Sequence, residues 1–410
     1  MSTAPGASPW RGRILALVGI LLVALNLRAA VVALAPIADR VSADVPLDAI
    51  VIGVLGAAPP LAFALAGLLT PRLARRVGIE HALVVGIGLM AVGQLVRAVA
   101  PVPALLVTAS VVAFLGIGIG NVLMPPLVRR YFPDRIGGVS GGYITVQALG
   151  ATVAPLVAVP VAAAAGWRVS LGSWALVALV AAVPWIVELI LRRGREPRDP
   201  ALLGAVPPEE AVGRMWRSPT AWAMAAGFAS TAAIAYSVFS TFPALLAGVA
   251  GVDDAEAGAL VAVFSLGGLP LAIVMPMLAA RLRSAVGPIL FTIALSVVGF
   301  LGLLLAPHLS PWLWMGAVSL GGAFFPYCLA LVGMRSRTQA GAVALSGFMQ
   351  GVGYIAGAVG PLLVGILHAI TGGWTASLIL LLVALVPLVP AAFVLSRPRF
   401  VEDEVARLSP

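Results

Sequence analysis

The chain of 410 residues contains no lysine; its 25 basic residues are all arginine. It has a single cysteine, Cys328, which excludes an internal disulfide and any site built on several thiolates. The three histidines, His81, His308 and His368, are scattered, so no imidazole cluster offers a metal-ligand set. Charge is scarce as well, at 10% of residues against 61% hydrophobic, with a mean hydropathy of +1.08. Soluble domains carry about a quarter charged residues. A soluble chain of this length could not hide so much apolar surface, so lipid is the expected solvent. HExxH is missing, the GxSxG match GVSGG (138–142) opens an apolar run with no strand before it, and no apolar run holds an acidic pair. An enzyme is therefore not expected, and neither is a cofactor or a metal.

What is present is a series of apolar runs, each long enough to cross a bilayer as a helix of about 20 residues. They fall near 14–37, 49–70, 80–100, 103–127, 138–162 and 168–191, then near 219–246, 256–279, 286–306, 311–333, 341–369 and 374–396. Arginines cluster between alternate runs: at 11 and 13; 72, 75 and 76; 129, 130 and 135; six times over 192–217; at 281 and 283; 335 and 337; and 397, 399 and 407. The loop at 247–256 carries Asp253, Asp254 and Glu256 and no arginine. Such asymmetry orients a membrane protein with its basic loops inside. Twelve spans with both termini cytoplasmic, in the inner membrane, is the expectation. The net charge of +9 is then a topology signal and not a nucleic-acid surface.

The two halves repeat. "SGGYITVQALGATVAPL" (140–156) aligns with "SGFMQGVGYIAGAVGPL" (346–362), and "PRLARRVG" (71–78) with "ARLRSAVG" (280–287). The predicted organisation is a cytoplasmic N-terminus (1–13), a six-helix bundle (14–191), a charged, Pro-rich cytoplasmic linker (192–218), a second bundle (219–396) and a cytoplasmic tail (397–410). The fold class is an all-α membrane protein with pseudo-two-fold symmetry.

On these features the chain resembles the major facilitator superfamily over its whole length. "GLLTPRLARRVG" (67–78) is similar to the superfamily signature G-x-L-a-D-r-x-G-r-k, with Gly67, Arg72, Arg75 and Arg76 fitting as a gating loop. Pro71 stands where Asp is usual and Ala74 where the second Gly is usual. Together with "NLR" (26–28) and "GWR" (166–168), this resembles the cyanate/nitroimidazole permease subgroup. The resemblance implies a carrier for a small anionic or polar solute, working by alternating access, with spans one, four, seven and ten lining its cavity.

Within the spans the polar residues are few. Arg28 lies 14 residues into the first run, roughly 21 Å at 1.5 Å per residue and past the midplane. A charge there costs about 2.5–3.5 kcal/mol on insertion scales, a cost relieved by a wet cavity or an anion. No acid is placed to pair with it, so Arg28 is the candidate counter-ion of the solute. Snorkelling or a structural role is the alternative, which would fit an exporter of small polar or aromatic compounds. Asn26 either orients that guanidinium, contacts solute, or locks helices. The repeat sets Ala235 or Tyr236 roughly opposite Arg28, Tyr236 being the polar candidate, and pairs Asn121 with Tyr327. Gln147 shares a helix face with Tyr143, and Gln350 with Tyr354, at i, i+4. These faces border the cavity or lock neighbouring helices. The tandem Pro59–Pro60 and Pro125–Pro126, with Pro155, Pro270, Pro326 and Pro361, are expected to kink or loosen their helices. A coupling proton would travel with the solute or on a group that this pattern does not place. The expected partners are a small solute and the bilayer, and the expected state is a monomer.

Overall fold

The computed structural model describes residues 13–47, 49–192, 215–282 and 284–407. Residues 193–214, most of the expected linker, lie outside it. Twelve apolar helices long enough to cross a membrane follow one another. They are α1 (Ile14–Val32), α2 (Ala49–Val77), α3 (Ile79–Val99), α4 (Pro103–Tyr131), α5 (Ile136–Ala165) and α6 (Trp167–Arg192), then α7 (Pro219–Ala250), α8 (Asp254–Arg281) and α9 (Val286–Leu305). Two spans are in pieces: α10 is Pro311–Gly321 plus Phe324–Met334, and α12 is Thr375–Val383 plus Leu388–Leu395. Between them runs α11 (Gln339–Thr371), and a short α13 (Val401–Arg407) closes the described chain. Helices are what lipid permits, because each satisfies its backbone groups within the segment.

The six helices of each half pack as a bundle, α1 against α5 and α6 in the first and α7 against α11 and α12 in the second. Small residues bring them close: a Cβ on Gly93 of α3 would stand 2.4 Å from the Ala113 nitrogen of α4. Substitution there would force the helices apart. The duplication seen in sequence is carried into conformation. Gly166 and Gly372, 206 apart, each follow a long helix and take positive φ, 88° and 68°. The prolines expected to kink or loosen their helices stand in two settings: Pro326 in the first turn after an interruption at Gly322–Ala323, and the others within unbroken helices. Pro59–Pro60, Pro125–Pro126, Pro155, Pro270 and Pro361 all lie inside continuous helices. The interruptions sit at Gly322–Ala323 and at residues 384–387.

The bundles meet along α2–α11 and along α5–α8, two contacts that the repeat exchanges. One face of the molecule gathers the arginine clusters. There Arg13 pairs with Asp134 at 2.6 Å, and Arg335 donates to the carbonyls of Leu395 and Arg397. On the same face α13 supplies two buried carboxylates. Glu404 accepts from Ser218 Oγ (2.6 Å), Thr220 N (3.1 Å) and Thr220 Oγ1 (2.8 Å) at the start of α7. Glu402 accepts from the amides of Arg337 and Thr338, both at 2.9 Å, at the start of α11. Each carboxylate meets the positive end of a helix and satisfies amides that have no partner within it. On the opposite face Asp44 accepts from Trp167 Nε1 (2.9 Å) and from Arg168.

Arg168 and Trp167 hold the Asp44 carboxyl below its ordinary range, and Arg337 does the same for Asp403. A depressed carboxylate stabilises the fold above its unfolded pKa of about 4 and loses that contribution as pH falls through the folded value. These ties should leave the melting temperature of purified protein unchanged between about pH 5 and 8 and weaken it only in acid. Glu404→Ala should remove about 1–3 kcal/mol, visible as a lower melting temperature in detergent at neutral pH.

Candidate functional site

Arg28 leaves α1 toward the second bundle. Its guanidinium carbon lies 5.8 Å from the ring centre of Phe325 of α10. It is also the cation acting on the hydroxyls of Tyr236 (α7) and Tyr354 (α11). Among the described residues no carboxylate forms an ion pair with it. The Tyr354 ring stands edge-on to Phe63 of α2 and Phe228 of α7, both at 5.1 Å, and 6.5 Å from Tyr236. Phe228 in turn tilts against Phe325 at 5.3 Å. Tyr143 of α5 is buried nearby in the first bundle. Three buried polar atoms in this region have no hydrogen-bond partner: the Tyr143 and Tyr236 hydroxyls and Asn121 Nδ2. The seam between the bundles therefore presents one permanent cation, free hydroxyl and amide donors, and aromatic walls. Such a set suits a small planar group carrying negative charge on exposed oxygen or nitrogen atoms.

Toward the arginine-rich face the seam is sealed, and the prolines explain how. A proline has no N–H, so the carbonyl four residues earlier loses its helical partner. Pro125 and Pro126 thus free the carbonyls of Asn121 and Val122 in α4. From α11, Gln350 Nε2 donates to the first at 3.1 Å and Ser346 Oγ to the second at 2.7 Å. Gln147 of α5 donates to the Asn121 side chain at 2.9 Å, and Gln339 to the Pro126 carbonyl at 2.9 Å. The tandem proline is a docking port for the other bundle, where a kink was the sequence expectation. The α2–α11 and α5–α8 contacts repeat the device. Pro71 frees the Gly67 carbonyl, which lies 2.6 Å from where a Gly347 Cβ would be; Pro276 frees that of Ala272, 3.3 Å from the Cβ position of Gly141. Gly141 and Gly347 are the pair matched by the repeat. Pro71 fills the usual Asp position with a carbonyl-freeing residue in contact with α11. Arg129, at the end of α4, completes the seal by donating to the carbonyls of Gly333 (2.6 Å), Ser336 and Arg337 in the α10–α11 turn.

The residues expected from sequence divide accordingly. Arg28, Tyr236 and Tyr354 come together at the seam. Asn121, Gln147 and Gln350 form its sealed floor, the locking alternative. Gly67 lies in the α2–α11 contact, while Arg72, Arg75 and Arg76 are exposed, and Arg72 donates to Leu68 of its own helix at 3.0 Å. Two positions stand apart from the site. Asn26 is fully buried behind α1, donating to the Trp174 carbonyl at 3.2 Å and accepting from Gln94 at 3.3 Å. Tyr327 has no hydrogen bond to Asn121; Arg335, at the arginine-rich face, is the charge acting on its hydroxyl. Sequence reasoning placed Tyr143 on a cavity or locking face but passed over Phe325 and, except as part of a basic cluster, Arg129. The signal for Arg129 was available in the proline pair just before it. No group of three His, Cys, Asp or Glu side chains gathers among the described residues.

With this geometry in hand, comparison with known proteins gives consistent matches. The family model for the Major Facilitator Superfamily matches residues 16–358. The uncharacterized transporter YycB of Bacillus subtilis (strain 168) is 31% identical over 387 residues, 93% of this chain and 94% of its own. The 2-nitroimidazole transporter of Escherichia coli (strain K12) is 30% identical, over 93% of this chain and 95% of its own. The cyanate transport protein CynX of the same organism is 28% identical, over 87% and 90%. Among solved structures, the proton:xylose symporter XylE superposes with a TM-score of 0.70 at 13% identity, covering 98% of this chain and all of that one. The transporter FucP in its outward conformation gives 0.70 at 13%, covering 93% and 98%. The fold, the duplicated bundles and these matches agree: the chain belongs to the Major Facilitator Superfamily.

Proposed function

We propose that this protein is a secondary transporter that carries a small anionic or polar solute, cyanate-like in size and charge, across the cytoplasmic membrane by alternating access. The observation that carries the reading is Arg28. It is a permanent cation at the seam of the bundles, with no carboxylate paired to it among the described residues and the Tyr236 hydroxyl beside it. A solute anion entering there gains a charge-assisted bond to the guanidinium and a second donor from the tyrosine. The arginine-rich face is the cytoplasmic one by the positive-inside rule, which puts both ends of the chain inside. The seal at that face then corresponds to a conformer open to the outside. Transport requires the seal to break and the outer halves to close, and side-chain donors on proline-freed carbonyls fit a rocking of rigid bundles. The solute site needs no protein proton carrier; a coupling proton can travel on the solute.

The second reading is export of small nitroheteroaromatic compounds. It is favoured by the aromatic wall of Phe63, Phe228, Phe325, Tyr236 and Tyr354. A nitro group offers two oxygens in the plane of a ring, which could stack there while facing Arg28.

In proteoliposomes, Arg28→Gln should lower the kcat/KM for labelled cyanate about ten- to a hundredfold, the loss of a charge-assisted hydrogen bond of about 1.5–3 kcal/mol. Undiminished uptake by a correctly inserted variant contradicts the assignment. Should cyanate not be carried by the parent, the same comparison with 2-nitroimidazole efflux decides for the second reading.

Arg129→Gln should weaken the cytoplasmic seal. With Cys328 replaced by Ala and Val122 by Cys, maleimide labelling from the cytoplasmic side should speed up severalfold when Arg129 is removed. An unchanged rate means the clamp does not hold the seal.

A further inference from the structure

Arg97 is the most deeply buried charge in the first bundle, 2% exposed near the far end of α3, and the site described above does not use it. Its Nη1 donates to the carbonyl of Ala30 in α1 at 3.1 Å, and its guanidinium carbon lies 5.6 Å from the ring centre of Phe114 of α4. Nε and Nη2 have no partner. One turn back on the same helix, Gln94 donates to the Asn26 side chain, which itself donates to the Trp174 carbonyl of α6. Asn26 and Ala30 are four apart and share one face of α1. Arg28, between them, points roughly 200° round the helix from each.

Two comparisons separate this arrangement from ordinary packing. Gly93 and Gly299, each pressed against the backbone of the following helix, match at an offset of 206, at which Gln94 and Arg97 correspond to Phe300 and Leu303 of α9, both buried and apolar. The second bundle thus packs the same place without polar groups, so the fold itself does not need a buried arginine here. The helices they hold also differ. α7 runs 32 residues and ends in a left-handed Gly251, whereas α1 runs 19 and ends four residues past Arg28. Arg97 takes up a carbonyl of that last turn, where a cation is favoured by the helix dipole and a free C=O needs a donor.

We propose that Arg97 and Gln94 form a rail behind α1 that fixes its rotation and the position of its last turn, so that Arg28 faces the second bundle. Arg97 is a positioning residue for solute binding: it never meets the solute, and its effect passes through Arg28. The proposal rests on the reading of Arg28 as the solute's counter-ion.

The test uses the full-length transporter with Cys328 replaced by Ala, which removes its one thiol. Arg28→Cys and Ala30→Cys are probed with membrane-impermeant sulfonatoethyl methanethiosulfonate added outside. The rail predicts that Arg28→Cys reacts and Ala30→Cys does not. Adding Arg97→Met should slow the first about tenfold and expose the second, and Arg97→Lys should restore part of the parent pattern. With Arg28 intact, Arg97→Met should raise the KM for labelled cyanate with Vmax within about twofold. If Arg97→Met fails to insert, Gln94→Leu removes one rung and is read in the same way. A labelling pattern unmoved by either variant overturns the rail and leaves the Arg28 reading standing. Normal uptake by Arg28→Gln takes down the Arg28 reading whatever the labelling shows.

Discussion

A backbone carbonyl inside a bilayer that loses its helical partner must find another donor, because lipid supplies none. That constraint organises the region where the two bundles touch. Pro125, Pro126, Pro71 and Pro276 each strip a carbonyl of its partner, and each freed carbonyl faces the opposite bundle. The donors that answer at α4 are Ser346 and Gln350; at the two flanking contacts the carbonyls of Gly67 and Ala272 lie close against Gly347 and Gly141. The bundles are thus joined in a register set by prolines, glycines and the polar groups that answer the freed carbonyls.

The same economy governs charge. The spans hold few ionisable groups, and the two arginines near the outer end of the first bundle stand on opposite sides of α1. One, Arg28, faces aromatic rings and a free tyrosine hydroxyl; the other, Arg97, grips the helix from behind. The carboxylates that could have neutralised them are spent elsewhere. Glu80 is engaged by Arg130 and Tyr131, and Glu402 and Glu404 cap helix starts. Arg28 is left available to a solute because its surroundings offer hydroxyls and π faces in place of an acid.

Much of this architecture is legible in the sequence, since apolar run length and arginine distribution are direct consequences of the bilayer. The pairing of Arg28 with Tyr236 was legible too, because a duplicated chain places matched positions across its axis. Side-chain direction was not. Asn26 and Arg28 are two residues apart, and which of them faces the seam depends on the rotation of α1, fixed by Gln94 and Arg97 from another helix. Tyr327, too, has no hydrogen bond to Asn121, and the direction of its side chain was not to be read from the repeat. The prolines were read as bends because the donors that accept their consequences lie more than two hundred residues away. Phe325 carries no local signal; only its place beside Arg28 and Phe228 marks it.

The central claim is that a solute sits against Arg28 at the seam of the bundles. Equilibrium binding of labelled cyanate and 2-nitroimidazole to the purified protein, followed as a ligand-dependent rise in melting temperature, tests it without requiring transport. The account predicts that at least one of the two raises the melting temperature of the parent protein and has no effect on Arg28→Gln. An equal rise in both proteins would contradict it.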